Sequence, residues 1–378
     1  MNLSYWERDF LIGKPDFIVV GSGIVGLTCA LTLKQQAPSS RIIVLERGSL
    51  PSGASTKNAG FACFGSLTEL LNDVELLGEQ GMLQLVQKRW QGLTLLRKIV
   101  GDVNMDYQQH GGFELIKKLQ LEKHPHLEDD LTKINSLLKS IFNQEVFRFS
   151  DERIKSFGFQ GLQHLIENPL EGQINTGMMM NSLINLCHEA DIKLLYGVEV
   201  NHLDLSNQRA TLTTNLGTFD CKGCAVATNA FATRLIPDLP VIPGRAQVMI
   251  TKEIPQLNIL GTFHYEEGYY YFRNINNRIL IGGARHLAEE EETTTEFGTT
   301  DFIQSHIHDL LTKVILPNSK IEIDYSWSGI MGLGTDRSVL LKSINEQVHV
   351  GVRLGGMGIA VGSAVGKELA EITLGKHI

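Results

Sequence analysis

Hydrophobic positions change their period twice within the first fifty residues. Residues 16–20, DFIVV, form a short β-branched run that stops at Gly21, the pattern of a strand buried on both faces. From Ile24 to Gln36 the apolar positions fall at helical spacing, with Ala30 and Leu31 inward, until Pro38 and two serines end the helix. RIIVLE, residues 41–46, returns to strand. Strand, glycine turn, helix and strand within about 30 residues make the βαβ unit of a nucleotide-binding domain.

Farther along, residues 67–101 have a helical pattern, and residues 124–142, HPHLEDDLTKINSLLKSIF, add one or two helices with an exposed charged face. Residues 175–200 predict helix then strand, with Met178, Met179 and Met180 as core filler. A proline-bearing break follows at residues 237–243. From Gly244 to about Ser326 the pattern alternates, as in GYYYFR and NRILIGGAR, which predicts antiparallel sheet. The acidic run at 288–296 is expected as a solvated loop or helix start. The last fifty residues are again small and apolar and end in a helix. The fold class expected is α/β, a Rossmann-like domain interleaved with an α+β domain on a mixed, largely antiparallel sheet. Residues 1–85, 150–235 and 325–378 are expected to form the nucleotide domain, and 86–149 and 236–324 the substrate domain.

The composition, 43% hydrophobic and 20% charged over 378 residues, is that of a globular protein with a sizeable core. A formal charge of −8 argues against nucleic acid as a partner, because phosphate binding needs a basic face. The N-terminal stretch lacks the charged-then-apolar form of a signal peptide, and no apolar run is long enough to span a bilayer. A cytoplasmic location is therefore expected, and the odd count of five cysteines fits a reducing compartment. Cys221 and Cys224 have metal or redox spacing but no second ligand pair, and His124 and His126 lack a third ligand, so no metal is expected.

Gly21-Ser22-Gly23-Ile24-Val25-Gly26 is a dinucleotide fingerprint. Its first glycine permits the turn, its second lets a pyrophosphate approach the backbone, and its third lets helix pack on strand. Glu46 ends the second strand, 20 residues beyond Gly26, where a carboxylate accepts both ribose hydroxyls and repels a 2′-phosphate. NADP is thereby disfavoured, while NAD and FAD remain open.

After Glu46 comes RGSLPSGASTKNAGFACFG, residues 47–65, a small polar loop with no room for the third strand of a simple NAD domain. This loop resembles the segment by which flavoproteins of the D-amino acid oxidase family wrap FAD, and the variant Ser52–Gly60 is most similar to the gamma-glutamylputrescine oxidase branch. GVEV (197–200), CAVATNAF (224–231), WSGIMGLGTDRSVLL (327–341) and GVRLGGMGIAVG (351–362) extend the resemblance over most of the chain. It implies noncovalent FAD held by Gly21, Gly23, Ile24, Val25, Gly26 and Glu46, then by Arg47, Ser52, Ala54, Ser55, Asn58, Ala59, Gly60 and Phe61. Val200, Ala227, Thr228, Asn229 and Gly329 follow, with Arg353, Gly355, Gly356, Met357, Gly358 and Ile359 in the closing turn. That turn is expected beside the flavin ring, its N–H groups and the dipole of the next helix facing the edge where negative charge grows on reduction.

The chain departs from the family where an arginine clamps a substrate carboxylate, since Met331 stands there, and no cysteine lies where relatives attach the ring. The lysine that promotes oxygen reaction has no counterpart near Arg278–Gly282. Arg353 and Arg273 are the candidate replacements for the clamp, and Tyr269 and Tyr271 the candidate aromatic wall. The function expected is oxidation of the C–N bond of an amine or amino acid by hydride transfer to flavin N5, the imine then being hydrolysed. Electrons pass on to O2 or another acceptor. A non-catalytic or partner-regulated flavin module is the alternative; an NAD dehydrogenase leaves the loop and closing turn without purpose.

Overall fold

A computed structural model describes residues 3–205 and 209–376. Six strands form one sheet in the order Leu340–Ser343, Val348–Val352, Gly223–Val226, Phe17–Val20, Ile42–Glu46 and Lys193–Tyr196. All pairs are parallel except the first, at the edge. The strands lack polar alternation because both faces are covered. Val19, Val44 and Ala225 pack under the helices Ile24–Gln36, Thr176–Glu189 and Gly358–Thr373. Ile18, Ile43 and Cys224 meet a three-stranded antiparallel sheet, residues 200–221, through Leu203, Leu212 and Phe219.

The second sheet has eight strands, in the order Ile323–Leu333, Ile242–Thr251, Arg278–Gly283, Tyr270–Ile275, Thr262–Tyr265, Gly112–Ile116, His164–Asn168 and Arg148–Phe149. It is antiparallel apart from the pairing of Thr262–Tyr265 with Gly112–Ile116. Its outer face buries Phe113, Phe263 and Phe272, stacked with ring centroids 5.1 and 4.5 Å apart, beneath the helix Asp301–Leu310. The class of fold is thus the expected one.

Strand pairing crosses the expected domain limits. His164–Asn168, inside the 150–235 segment, pairs with Gly112–Ile116 in the eight-stranded sheet, and Ile323–Leu333 runs through residue 325. The helix Leu67–Val100 also crosses the limit at 85, with non-helical backbone at Gly78 (φ 71°, ψ 168°). Beyond this break Gly92 lets the helix touch the last one, where a β-carbon would overlap the carbonyl oxygen of Ala360. The Ser363 hydroxyl donates to the Gly92 carbonyl at 2.5 Å across that contact.

Two local expectations change. Glu292 in the acidic run is fully buried, accepting from both arms of Arg245 at 2.9 and 2.8 Å and from Gln247 at 2.9 Å. A paired, hydrogen-bonded charge tolerates burial that its solvated neighbours avoid. Met178 is exposed, while Met179 and Met180 are in the core, because the helix turns its first methionine outward. No helix among the described residues is long and apolar enough to cross a membrane.

Candidate active site

One continuous cavity of ≈ 500 Å³ runs from the ends of the parallel strands to the inner face of the eight-stranded sheet. Every residue expected at FAD lines it except Gly26 and Arg353. Gly26 works from behind, since a β-carbon there would overlap the Gly21 carbonyl oxygen and push the helix off the strand. At the nucleotide end Glu46 is 9% exposed, one oxygen accepting from the Ser22 N–H (3.2 Å) and hydroxyl (2.7 Å), the other from the Gly48 N–H (2.9 Å). The Ser55 hydroxyl oxygen accepts the Ile24 N–H at 3.0 Å and ties the 47–65 loop to the helix N-terminus. Asn58 holds the loop's own turn, accepting from Gly60 N–H at 2.9 Å and donating to the Ser55 carbonyl at 2.9 Å. Thr228 Oγ1, on the cavity wall, is buried without a partner among the described residues. Arg47 lies over the Phe231 ring at 4.0 Å, an aromatic face that sequence reasoning left out.

In the closing turn Gly355 and Gly356 have φ 57° and 82°, conformations that suit glycine. The Gly355 N–H, expected to face the flavin, donates instead to the Gly332 carbonyl at 3.1 Å. The helix Gly358–Thr373 nonetheless starts at the cavity and directs its positive end there.

Neither candidate arginine reaches the cavity. Arg273 is 5% exposed and donates to the carbonyls of Ala59, of Ile174 (3.0 Å) and of Asn274 (3.4 Å), with its pKa pushed down to about 10 by burial. It holds the 47–65 loop against residue 174. Arg353 has φ 64°, donates its N–H to Asn229 Oδ1 (3.1 Å), and spends its guanidinium on Asp336 (3.0 Å), the Ser338 hydroxyl (2.6 Å) and the Ser338 carbonyl (3.0 Å). Sequence placed both near the flavin but could not show which way the side chains turn.

Tyr269 and Tyr271 do line the cavity. Tyr271 packs edge-on to Phe61 at 5.7 Å, and burial pushes its hydroxyl up to about 12, so it stays protonated. Cross-strand register sets a row on the sheet's inner face: Glu114 opposite His264, His264 opposite Tyr271, Tyr271 opposite Gly282, Gly282 opposite Val248. Gly282 leaves space for the tyrosine, whose ring would come within 2.8 Å of a β-carbon there. His264 and Glu69, which no motif links, meet in the wall, Nδ1 to Oε2 at 3.7 Å. Burial lowers the pKa of His264, so the imidazole is neutral at pH 7.

Behind this wall Glu171 accepts the N–H groups of Phe64 and Gly65 at 2.9 and 3.2 Å, and Glu114 accepts from the Thr68 N–H (3.1 Å) and hydroxyl. Burial pushes Glu171 up to about 8 and Glu114 up to about 7, against an ordinary 4.5. Both pKa values are higher in the fold than in the unfolded chain. The stability this brings is therefore full below pH ~4.5 and drains away as pH rises through about 7 and 8, where burial disfavours the charged form. The melting temperature should fall between about pH 5 and 9, and Glu171→Gln, which keeps the acceptor oxygen, should flatten that fall. Thermal melts across this range check it; an unchanged slope in the variant would reject Glu171 as a source. The five cysteines are all free and buried, and among the described residues no group of three His, Cys, Asp or Glu side chains can hold a metal.

Residues 16–372 match the family model described as "FAD dependent oxidoreductase", so this chain belongs to that family, whose members bind FAD. It is 20% identical over 373 residues to the probable oxidoreductase OrdL of Rhizobium meliloti (strain 1021), covering 96% of this chain and 84% of that protein. Glycine oxidase of Geobacillus kaustophilus (strain HTA426) is 23% identical over 330 residues, covering 84% and 81% of the two chains. The glycine oxidase structure from that species superposes with TM-score 0.77 at 20% identity, over 97% of this chain and 96% of its own. L-proline dehydrogenase from P. horikoshii gives TM-score 0.74 at 20% identity, over 96% and 94%.

Proposed function

We propose that this protein oxidises the C–N bond of an amine or amino acid, with FAD bound noncovalently and electrons passed to O2 or another acceptor. The observation that carries this reading is that one cavity is lined both by the Gly21–Glu46 turn and by Phe61, Tyr269 and Tyr271. Bound FAD supplies the acceptor for two electrons and the hydrogen of the bond being oxidised.

The chain's own residues do the rest. Glu46 receives the ribose hydroxyls, and Gly23 with the N-terminus of the helix Ile24–Gln36 receives the pyrophosphate. Ala59, Gly60 and Phe61 together with Gly355, Gly356 and Gly358 line the cavity and would hold the ring, near the N-terminus of the last helix. The aromatic wall excludes water and orients the substrate. Cys63 borders the cavity, but burial holds its thiol well above the ordinary range, which makes it a poor nucleophile for attaching the ring. Glycine oxidase and proline dehydrogenase, as named, act on amino acids, which supports the substrate class.

The purified protein should be yellow and should release its colour on acid precipitation. Mixing it anaerobically with a panel of amines and amino acids should bleach the flavin, faster as pH rises and the substrate ammonium loses its proton. A protein that stays colourless with excess FAD, or bleaches with no member of the panel, would falsify this reading.

A further inference from the structure

Glu69 lines the cavity with a side chain 19% exposed, and the fold gives it no fixed cation. Among the described residues no lysine or arginine stands at ion-pair distance from it, and its one basic neighbour is His264, whose imidazole burial keeps neutral. Arg89 and Arg337 are spent on Asp73, one helical turn farther on. Burial raises the pKa of Glu114, Glu171 and Asp73, and the charge of Glu69 adds to the rise in each. A largely buried charge without a counter-ion is costly, so a wall that keeps one suits a cation that arrives as a ligand.

The carboxylate is held in place from three sides. Oε2 accepts the Ser66 N–H at 2.9 Å, the capping bond of the helix Leu67–Val100. Gly268 (φ 80°) lacks the β-carbon that would lie 2.8 Å from Oε1, and it ends a turn in which Glu266 and Glu267 are also left-handed, φ 51° and 53°. Glu267 lines the cavity too, but Asn72 and Lys123 already occupy it, at 3.2 and 3.7 Å. His264 closes the third side. Its side chain is 9% exposed, Nε2 is buried with no partner among the described residues, and Nδ1 is too far from Oε2, at 3.7 Å, to bond it. An N–H donor on the cavity side can reach both atoms. The His264 ring stands edge-on to Phe61 at 5.2 Å, and Phe61 meets Tyr271, so the carboxylate borders the aromatic chamber these rings form with Tyr269. Aromatic faces attract cations as well.

A carboxylate favours the charged form of a nearby amine. The nitrogen that is oxidised must first give up its proton, so Glu69 suits a different nitrogen, one that keeps it. We propose that Glu69, positioned by His264, is the seat of a second ammonium group, and that the substrate is a diamine or an amino acid with a basic side chain. The assignment rests on the reading of the cavity as an amine or amino acid oxidase site. It narrows that reading to substrates with two basic nitrogens, one held at Glu69 and the other oxidised.

The test uses the FAD-loaded protein and two probes of equal shape, tert-butylamine and tert-butanol, titrated by calorimetry and by flavin absorbance. Neither has a hydrogen on the carbon that bears its polar group, so neither is oxidised. The ammonium form of tert-butylamine should bind the native protein at least about tenfold more tightly than the alcohol, since a hydrogen bond between charged partners is the stronger kind. Glu69→Gln, which keeps the capping acceptor for Ser66, should abolish that preference. Glu69→Asp, which keeps the charge but draws it back, should retain part of it and serves if the glutamine variant loses FAD. In flavin bleaching, straight-chain diamines should exceed monoamines of the same length in kcat/KM by about tenfold or more, and Glu69→Gln should erase that ratio. Equal tert-butylamine affinity in native and glutamine proteins, or no preference over the alcohol in the native protein, overturns the proposal. If monoamines bleach the native protein as fast as diamines, the oxidase reading survives and the seat falls. If no amine or amino acid bleaches the native protein, the oxidase reading fails, and Glu69 as a substrate group fails with it.

Discussion

Replacing Gly26 with alanine is expected to give a protein without flavin and with a stability lower by about 3 kcal/mol. The added β-carbon would overlap the Gly21 carbonyl oxygen and lie 3.0 Å from its carbon and 3.3 Å from Val19 Cγ1. Two of these three atoms are backbone, so no rotamer change relieves the clash. The helix Ile24–Gln36 must move away from the strand Phe17–Val20, and its first N–H groups move with it. Since those groups and Glu46 line the end of the cavity proposed to hold the FAD nucleotide, the cofactor should be lost along with the packing. The flavin-to-protein absorbance ratio and the urea midpoint measure both effects. A yellow variant with an unshifted midpoint would show that strand and helix have slack at this point.

The second large effect is expected at Arg273. Arg273→Met keeps the bulk but removes every donor to the carbonyls of Ala59, Ile174 and Asn274. Leaving buried acceptors unmade costs about 1–3 kcal/mol each, so a loss near 3 kcal/mol is expected even with partial relaxation. Gly60 is wedged at the same spot, where a β-carbon would lie 2.5 Å from the Ile174 carbonyl oxygen and 2.8 Å from the Arg273 guanidinium. The 47–65 loop, proposed to face the flavin, should therefore loosen and FAD should dissociate faster. If Arg273 only positions this loop, excess FAD restores flavin reduction in the variant; if it touches substrate, saturating the cofactor leaves the defect intact.

The parallel sheet was legible in the sequence because its strands are short β-branched runs whose ends carry the glycines and Glu46. The antiparallel sheet was legible from alternation between residues 244 and 326, but its far edge was not. His164–Asn168 joins through partners fifty residues upstream in chain, and five residues of mixed pattern carry no record of that pairing. For the cofactor the motifs sufficed, since backbone approach needs particular small residues at fixed spacing. Substrate-side chemistry resisted for a different reason. His264 and Glu69 meet only because a strand and a helix N-terminus converge. Arg273 and Arg353 were placed near the flavin by sequence, yet side-chain direction depends on which carbonyls happen to stand unpaired nearby.

The break at Gly78 divides the helix Leu67–Val100 between two tasks. Upstream, Thr68 and Glu69 belong to the chamber's back wall; downstream, Gly92 is locked against the last helix at the nucleotide layer. The buried Arg89–Asp73 pair, 3.6 Å, spans the joint, and Arg89 also donates to the Phe64 carbonyl at 2.8 Å, so the two halves are set at different angles yet tied together. A substitution that displaces one half is therefore felt at the far end of the cavity as well.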